Sequence, residues 1–115
     1  MDKDTDIENC IFCKIINNQV SADFIYQDDL IAVFKDINPQ AKTHLLLVPK
    51  LHIKSLEEIG FEHQEIITYA IYKIPEIAKQ LALNGFRTII NTGKNGGQMV
   101  DHLHFHTLSG KILPK

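Results

Sequence analysis

Three of the chain's six histidines stand at alternate positions in the run His102-Leu103-His104-Phe105-His106. In extended backbone, successive side chains point to opposite faces. This spacing therefore puts three imidazoles in one row and turns Leu103 and Phe105 the other way. One face is equipped for chemistry and the other for packing. A purification-like surface tract would be contiguous and polar, without apolar residues interleaved in strand register. A single metal bound by all three is excluded by reach. Four residues of strand separate the Cα atoms of His102 and His106 by about 13 Å, whereas nitrogens sharing one tetrahedral zinc lie about 3.4 Å apart. The remaining chemistry is nucleophilic: a central neutral imidazole, His104, attacks an electrophile and is transiently bonded to it, while its neighbours handle protons and charge.

A phosphorus electrophile is shielded by negative oxygens, so a site for it needs donors aimed at those oxygens. The stretch Asn91-Thr92-Gly93-Lys94-Asn95-Gly96-Gly97-Gln98 runs directly into the histidine row, and its glycines let main-chain N–H groups approach a phosphate closely. Read without the histidines, it is equally an ordinary hairpin loop. Asp36 follows an apolar run and precedes Asn38-Pro39. A carboxylate there either accepts two ribose hydroxyls or caps the turn. Cys10-x-x-Cys13 is open to three readings: a redox pair, half of a zinc site, or two inert thiols.

The run Gly96 to His106 resembles the signature of the histidine triad (HIT) family, three histidines each separated by one residue. Cys10-Ile11-Phe12-Cys13-Lys14-Ile15-Ile16, and Asp36-Ile37-Asn38-Pro39-Gln40-Ala41 followed by His44, resemble its Hint-like, nucleoside phosphoramidase branch. The resemblance runs from about residue 10 to about residue 110. It implies hydrolysis of a purine nucleoside 5′-phosphoramidate at the P–N bond, with His104 as nucleophile and a nucleotidyl-histidine intermediate. His106 would bond the phosphate or protonate the departing amine, and His102 and His44 would complete the cluster. It implies a nucleotide site in which Asp36 meets the ribose, Asn91, Gly97, Gln98 and Met99 lie at the phosphate, and Ile11, Phe12, Ile15, Phe34 and Ile37 enclose the base. Many members of the branch have serine or threonine at the position of Met99, whose thioether cannot donate a hydrogen bond. Asp101 is also unusual, since it puts a carboxylate beside the row.

No cofactor is required by this chemistry. Some bacterial relatives hold a structural zinc with two cysteines and two histidines, which by resemblance would be Cys10, Cys13, His44 and His102. Such a role conflicts with proton transfer by His44, and the other two histidines, His52 and His63, read as ordinary surface or core residues. Alternatives to the phosphoramidase are a dinucleoside polyphosphate hydrolase using the same histidine, or a nucleotide-binding dimer with little turnover.

The elements that must position these groups are legible in outline. Ile11, Phe12, Ile15 and Ile16 fall at helical spacing up to Asn17-Asn18. Phe24 to Tyr26 and Ile31 to Phe34, around Asp28-Asp29, form a hairpin, and Thr43 to Val48 is a buried strand stopped by Pro49. An apolar stripe from Ile66 to Leu81 predicts a long helix over about 62–83. Pro75 predicts a kink or break near Lys73, and Asn84-Gly85 a left-handed cap. Phe86 to Asn91 and Met99 to Leu108 are the fourth and fifth strands. The sum is an α+β fold: a five-stranded antiparallel sheet with one long helix and a short N-terminal helix. The resemblance implies the same fold, with a flexible leader at 1–9 and one HIT domain over 10–115, assembled as a two-fold homodimer in which two sheets join.

Composition sets outer limits. At 115 residues, with 44% hydrophobic and 23% charged, the chain is one ordinary globular domain able to bury a core. A net charge of −2 and a pI near 6.3 give no basic footprint for nucleic acid or an anionic membrane, so any bound nucleotide is small. The polar, acidic first residues carry no secretory pattern, and the longest apolar run, Leu45 to Pro49, is far too short to span a bilayer. Two cysteines in such a chain point to the reducing cytoplasm.

Overall fold

The computed structural model describes residues 7–112, so most of the expected leader lies outside the described residues. The elements in order are α1 (Ile11–Ile16), β1 (Phe24–Gln27), β2 (Ile31–Lys35), β3 (Ala41–Pro49), α2 (Gln64–Gln80), β4 (Arg87–Ile89) and β5 (Phe105–Ile112). Short 3₁₀ turns occur at Leu56–Glu58, Phe61–His63 and Lys94–Gly96. The strands form one antiparallel sheet in the order β1-β2-β3-β5-β4. The α+β arrangement expected from the sequence is the one found.

Alternation along the strands divides the core in two. Ile31, Val33, Leu45 and Leu47 face α2 and pack with its Ala70, Ile74 and Ile77, whereas Ala32, Phe34, Leu46 and Val48 face α1 and pack with its Phe12, Cys13 and Ile15. The two helices therefore cover opposite faces of the sheet. The hairpin is tied to α2 by Asp28, whose carboxylate accepts the N–H groups of Leu30 (2.8 Å) and Ile31 (3.0 Å) and the hydroxyls of Tyr26 (2.6 Å) and Tyr69. Burial alone would raise the Asp28 pKa, but these four donors outweigh it and hold the carboxylate well below its usual range.

Three expectations are corrected. First, α2 starts later and ends earlier than predicted and runs unbroken through Pro75, because buried residues on both sides of the proline, Ala70 and Ile74 before it and Ile77 and Ala78 after it, are held on the sheet. Tertiary packing here outweighs a local penalty of about 3 kcal/mol. Second, α2 is closed at Ala82, with φ 55°, and not at Asn84-Gly85. Leu83 N–H reaches the Ala78 carbonyl at 2.9 Å and Ala82 N–H that of Lys79 at 3.0 Å, the paired bonds of a Schellman cap. Third, β5 begins at Phe105, so His102 and His104 precede the ladder. They remain fixed through their neighbour, since Leu103 N–H donates to the Ile53 carbonyl at 2.7 Å.

Candidate active site

The alternation that defines the histidine row survives outside the ladder. Leu103 and Phe105 are each 1% exposed in the core beneath α2, and the three imidazoles lie on the opposite face, the one covered by α1. Burying two large apolar side chains contributes roughly 2–3 kcal/mol each, which fixes the facing of the whole segment. A one-residue slip would exchange the two faces.

Main-chain carbonyls then set the tautomers. His104 Nδ1 lies 2.7 Å from the His102 carbonyl oxygen, which can only accept, so Nδ1 carries the proton and Nε2 presents a lone pair. His102 Nε2 lies 2.8 Å from the Pro49 carbonyl and is the protonated nitrogen of that ring, leaving Nδ1 as its lone pair. The Phe12 ring meets His104 edge-on at 5.1 Å and His102 at 5.8 Å, holding both against rotation. Burial lowers the pKa of His104, an effect only partly offset by the His102 carbonyl and by Asp36. Burial, reinforced by His104 and His44, takes His106 down to about 4. At neutral pH the row is uncharged, as a nucleophilic imidazole requires.

His44 enters from β3. The β3–β5 register pairs His44 with Leu108 and Leu46 with His106, making His44 and His106 diagonal neighbours on one face. Their rings meet through Nε2 of His44 and Nδ1 of His106 at 2.9 Å. Asp36 is 3.3 Å from the same His44 nitrogen, and its other oxygen accepts the Asn38 N–H at 2.9 Å. The carboxylate thus caps the turn while also touching the histidine cluster.

The other predicted site residues divide. Ile11, Met99 and Asp101 line one open cavity of about 310 Å³, together with Cys10 and Val100. Met99 and Ile37 are almost fully exposed, whereas Phe12, Ile15 and Phe34 are buried in the core under α1. Asn91 is half-buried beside Gly97. Gln98 is turned into the loop: its Oε1 accepts the Gly93 N–H, and its Nε2 donates to the carbonyls of Lys54 and Val100, all at 2.8–2.9 Å. Gly93 and Gly97 both have positive φ, 71° and 86°, so this loop shape requires glycine at each.

The cysteines correct the predicted metal set. Cys10 caps α1, its Sγ accepting the Cys13 N–H at 3.3 Å. Cys10 Sγ is 3.3 Å from His102 Nδ1, and Cys13 Sγ is 3.2 Å from His52 Nδ1 and 3.6 Å from His102 Nδ1. The ligand-bearing atoms of Cys10, Cys13, His52 and His102 all lie within 4.8 Å of one another. His52 therefore stands where His44 was expected, and His44 belongs to the separate group with Asp36 and His106. Two thiols and two imidazoles are a zinc-type donor set, and the edges of a tetrahedron with ordinary Zn–S and Zn–N lengths are about 3.5 Å. The carbonyl behind His102 supplies the outer hydrogen bond such a ligand needs. These residues fit a structural metal. The only sequence signal for His52 is its place just after Pro49, where the chain turns back beneath His102.

Comparison with known proteins settles the family. A family model described as "Scavenger mRNA decapping enzyme C-term binding" matches residues 9–113. Protein HitA of Neisseria gonorrhoeae is 50% identical over 107 residues, covering 92% of this chain and 100% of HitA. A solved histidine triad protein from Clostridium difficile is 44% identical with a TM-score of 0.86, over 93% of this chain and 95% of that one. The chain belongs to the histidine triad family. Within the HIT family it is also similar to the purine nucleoside phosphoramidase of Escherichia coli K12, at 42% identity over 108 residues, 92% of this chain and 91% of that protein. A HIT family hydrolase from Legionella pneumophila superposes with a TM-score of 0.86 at 35% identity, over 92% of this chain and 96% of that one. As a HIT protein the chain carries its histidines on the scaffold expected for it. No helix among the described residues is long and apolar enough to cross a membrane.

Proposed function

We propose that this HIT protein hydrolyses purine nucleoside 5′-phosphoramidates, releasing AMP and an amine. The observation that carries the reading is the His104 tautomer: a buried neutral ring whose Nδ1 proton is held by the His102 carbonyl, leaving Nε2 as the attacking atom. The similarity to a purine nucleoside phosphoramidase supplies the substrate class. Nε2 attacks phosphorus, and the P–N bond breaks with its electron pair leaving on the nitrogen, which is held by a hydrogen bond from Nε2–H of His106 and takes up a proton from solvent. Water then attacks the nucleotidyl-histidine, the P–Nε2 bond breaks to free His104 as the neutral ring, and the proton that water loses goes to solvent, balancing the one taken up by the amine. Asp36 receives the ribose, and the main-chain N–H of Met99, at the end of the glycine loop, meets a phosphate oxygen, the N–H groups of Gly93, Gly96, Gly97 and Gln98 being engaged within the loop. The exposed Met99 adds no hydroxyl there.

Side-by-side rates on a fluorogenic AMP amide and on diadenosine polyphosphates test the substrate class. The amide is expected to turn over faster by at least tenfold, and the opposite order would assign a polyphosphate hydrolase. The assembly we propose is a homodimer joined at the β4 edge, where all three strand residues are exposed and Phe86 and Ile89 add apolar surface. Wild-type protein is expected to sediment at twice the mass of the chain and Ile89→Glu at once, whereas a monomeric wild type would refute the dimer. A zinc at Cys10, Cys13, His52 and His102 would serve as a structural cross-link between α1, the end of β3 and the histidine row. The setting proposed for all of this is the cytoplasm.

A further inference from the structure

Gln40 has no reactive group in its side chain, but its main-chain N–H donates to Nδ1 of His44 at 3.0 Å. A ring nitrogen that accepts a hydrogen bond holds no proton of its own, and neutral imidazole has a single N–H. His44 is 5% exposed, and its burial favours the neutral ring. Its proton is therefore on Nε2. That atom has two acceptors in reach, His106 Nδ1 at 2.9 Å and Asp36 Oδ2 at 3.3 Å, and the shorter contact is to His106. With Nδ1 accepting, His106 holds its proton on Nε2, on the other side of its ring. Two adjacent members of the row thus show opposite faces: His104 a lone pair and His106 an N–H.

We propose that the Gln40 main-chain amide is a positioning group, which locks His44 in one tautomer and thereby commits His106 to offer a hydrogen-bond donor to the departing group. The role as a donor to a leaving amine rests on the phosphoramidase reading; the tautomers do not. The bond is built by the turn itself. Pro39 biases Asn38 toward extended backbone, β3 starts at Ala41, and Gln40 sits between them four residues before the histidine it touches. The same lock removes Asp36, His44 and His106 as a cation site, although their ligand atoms lie within 4.8 Å of one another. The His44 nitrogen facing the other two carries a proton and has no lone pair to give.

The test begins with the wild-type protein. ¹⁵N-histidine spectra at neutral pH are expected to show His44 and His106 protonated on Nε2 and bare on Nδ1, with His104 the reverse. A proton on Nδ1 of either His44 or His106 overturns the proposal. Gln40→Ala keeps the N–H and is expected to keep both tautomers, whereas Gln40→Pro removes it. Gln40→Pro is expected to slow an alkyl-amine AMP amide, whose leaving group must gain a proton, by tenfold or more. It should slow the p-nitrophenyl ester of AMP, whose leaving group departs unprotonated, by less than threefold. Equal slowing of both substrates would mark Gln40 as merely structural and overturn the lock. A protein that turns over no phosphoramidate would defeat the functional reading and still leave the tautomers to be read from the spectra.

Discussion

Replacing His104 by alanine is expected to lower hydrolysis of an AMP amide by about 10⁴-fold or more, because the ring supplies the atom that bonds to phosphorus and no neighbour can take its place. His102 presents its remaining lone pair to the cysteines, and His106 presents an N–H to the substrate side. Loss of the ring should leave nucleotide affinity nearly intact, since Asp36 and the glycine loop are independent of it. The change therefore falls on kcat. The pH profile follows from burial. The attacking ring must be neutral, and the shift of His104 is downward, with His106 near 4. Activity is thus expected to persist as pH falls through the ordinary imidazole range near 6.5. It should decline only below that, once the uncatalysed acid hydrolysis seen with His104→Ala is subtracted. An acid limb centred at or above 6.5 would mean the nucleophile is solvated and the site differently built.

The second large effect concerns metal. Burial and the neighbouring Cys10 push the Cys13 thiol up to about 12, so only a bound cation would hold that sulfur as a thiolate, and loading should release its proton. Purified protein is expected to carry about one zinc per chain. His52→Ala and Cys13→Ser should each bring this close to zero, while His44→Ala leaves it unchanged. At free zinc a thousandfold above Kd, the linked stabilisation is about 4 kcal/mol, and chelation should remove it. Elemental analysis together with thermal unfolding, with and without chelator, reads both. Retention of the metal in His52→Ala and its loss in His44→Ala would restore the ligand set inferred from resemblance.

That exchange of His52 for His44 shows where sequence reading reaches and where it stops. Alternation alone identified which side of the His102–His106 segment packs and which reacts, because a two-residue period needs no knowledge of partners. The strands and both helices were legible for the same reason, being written in local periodicity. His52 was not, since its neighbourhood depends on how the chain turns after Pro49 to reach a residue fifty positions later. Gln98 was read by resemblance as a phosphate contact, yet its amide is engaged by Gly93, Lys54 and Val100, a tertiary outcome that no spacing encodes. Of the kink or break expected near Lys73, the break does not occur. The local rule for Pro75 is sound, but the buried residues flanking it hold the helix together.

The most direct test of the central claim is to trap the intermediate. Wild-type protein mixed with a slowly hydrolysed AMP amide, quenched within one turnover and digested, is expected to give a single nucleotidylated peptide, with the added mass on His104 and none in His104→Ala. Full turnover with no such adduct, or an adduct on another residue, would contradict the account.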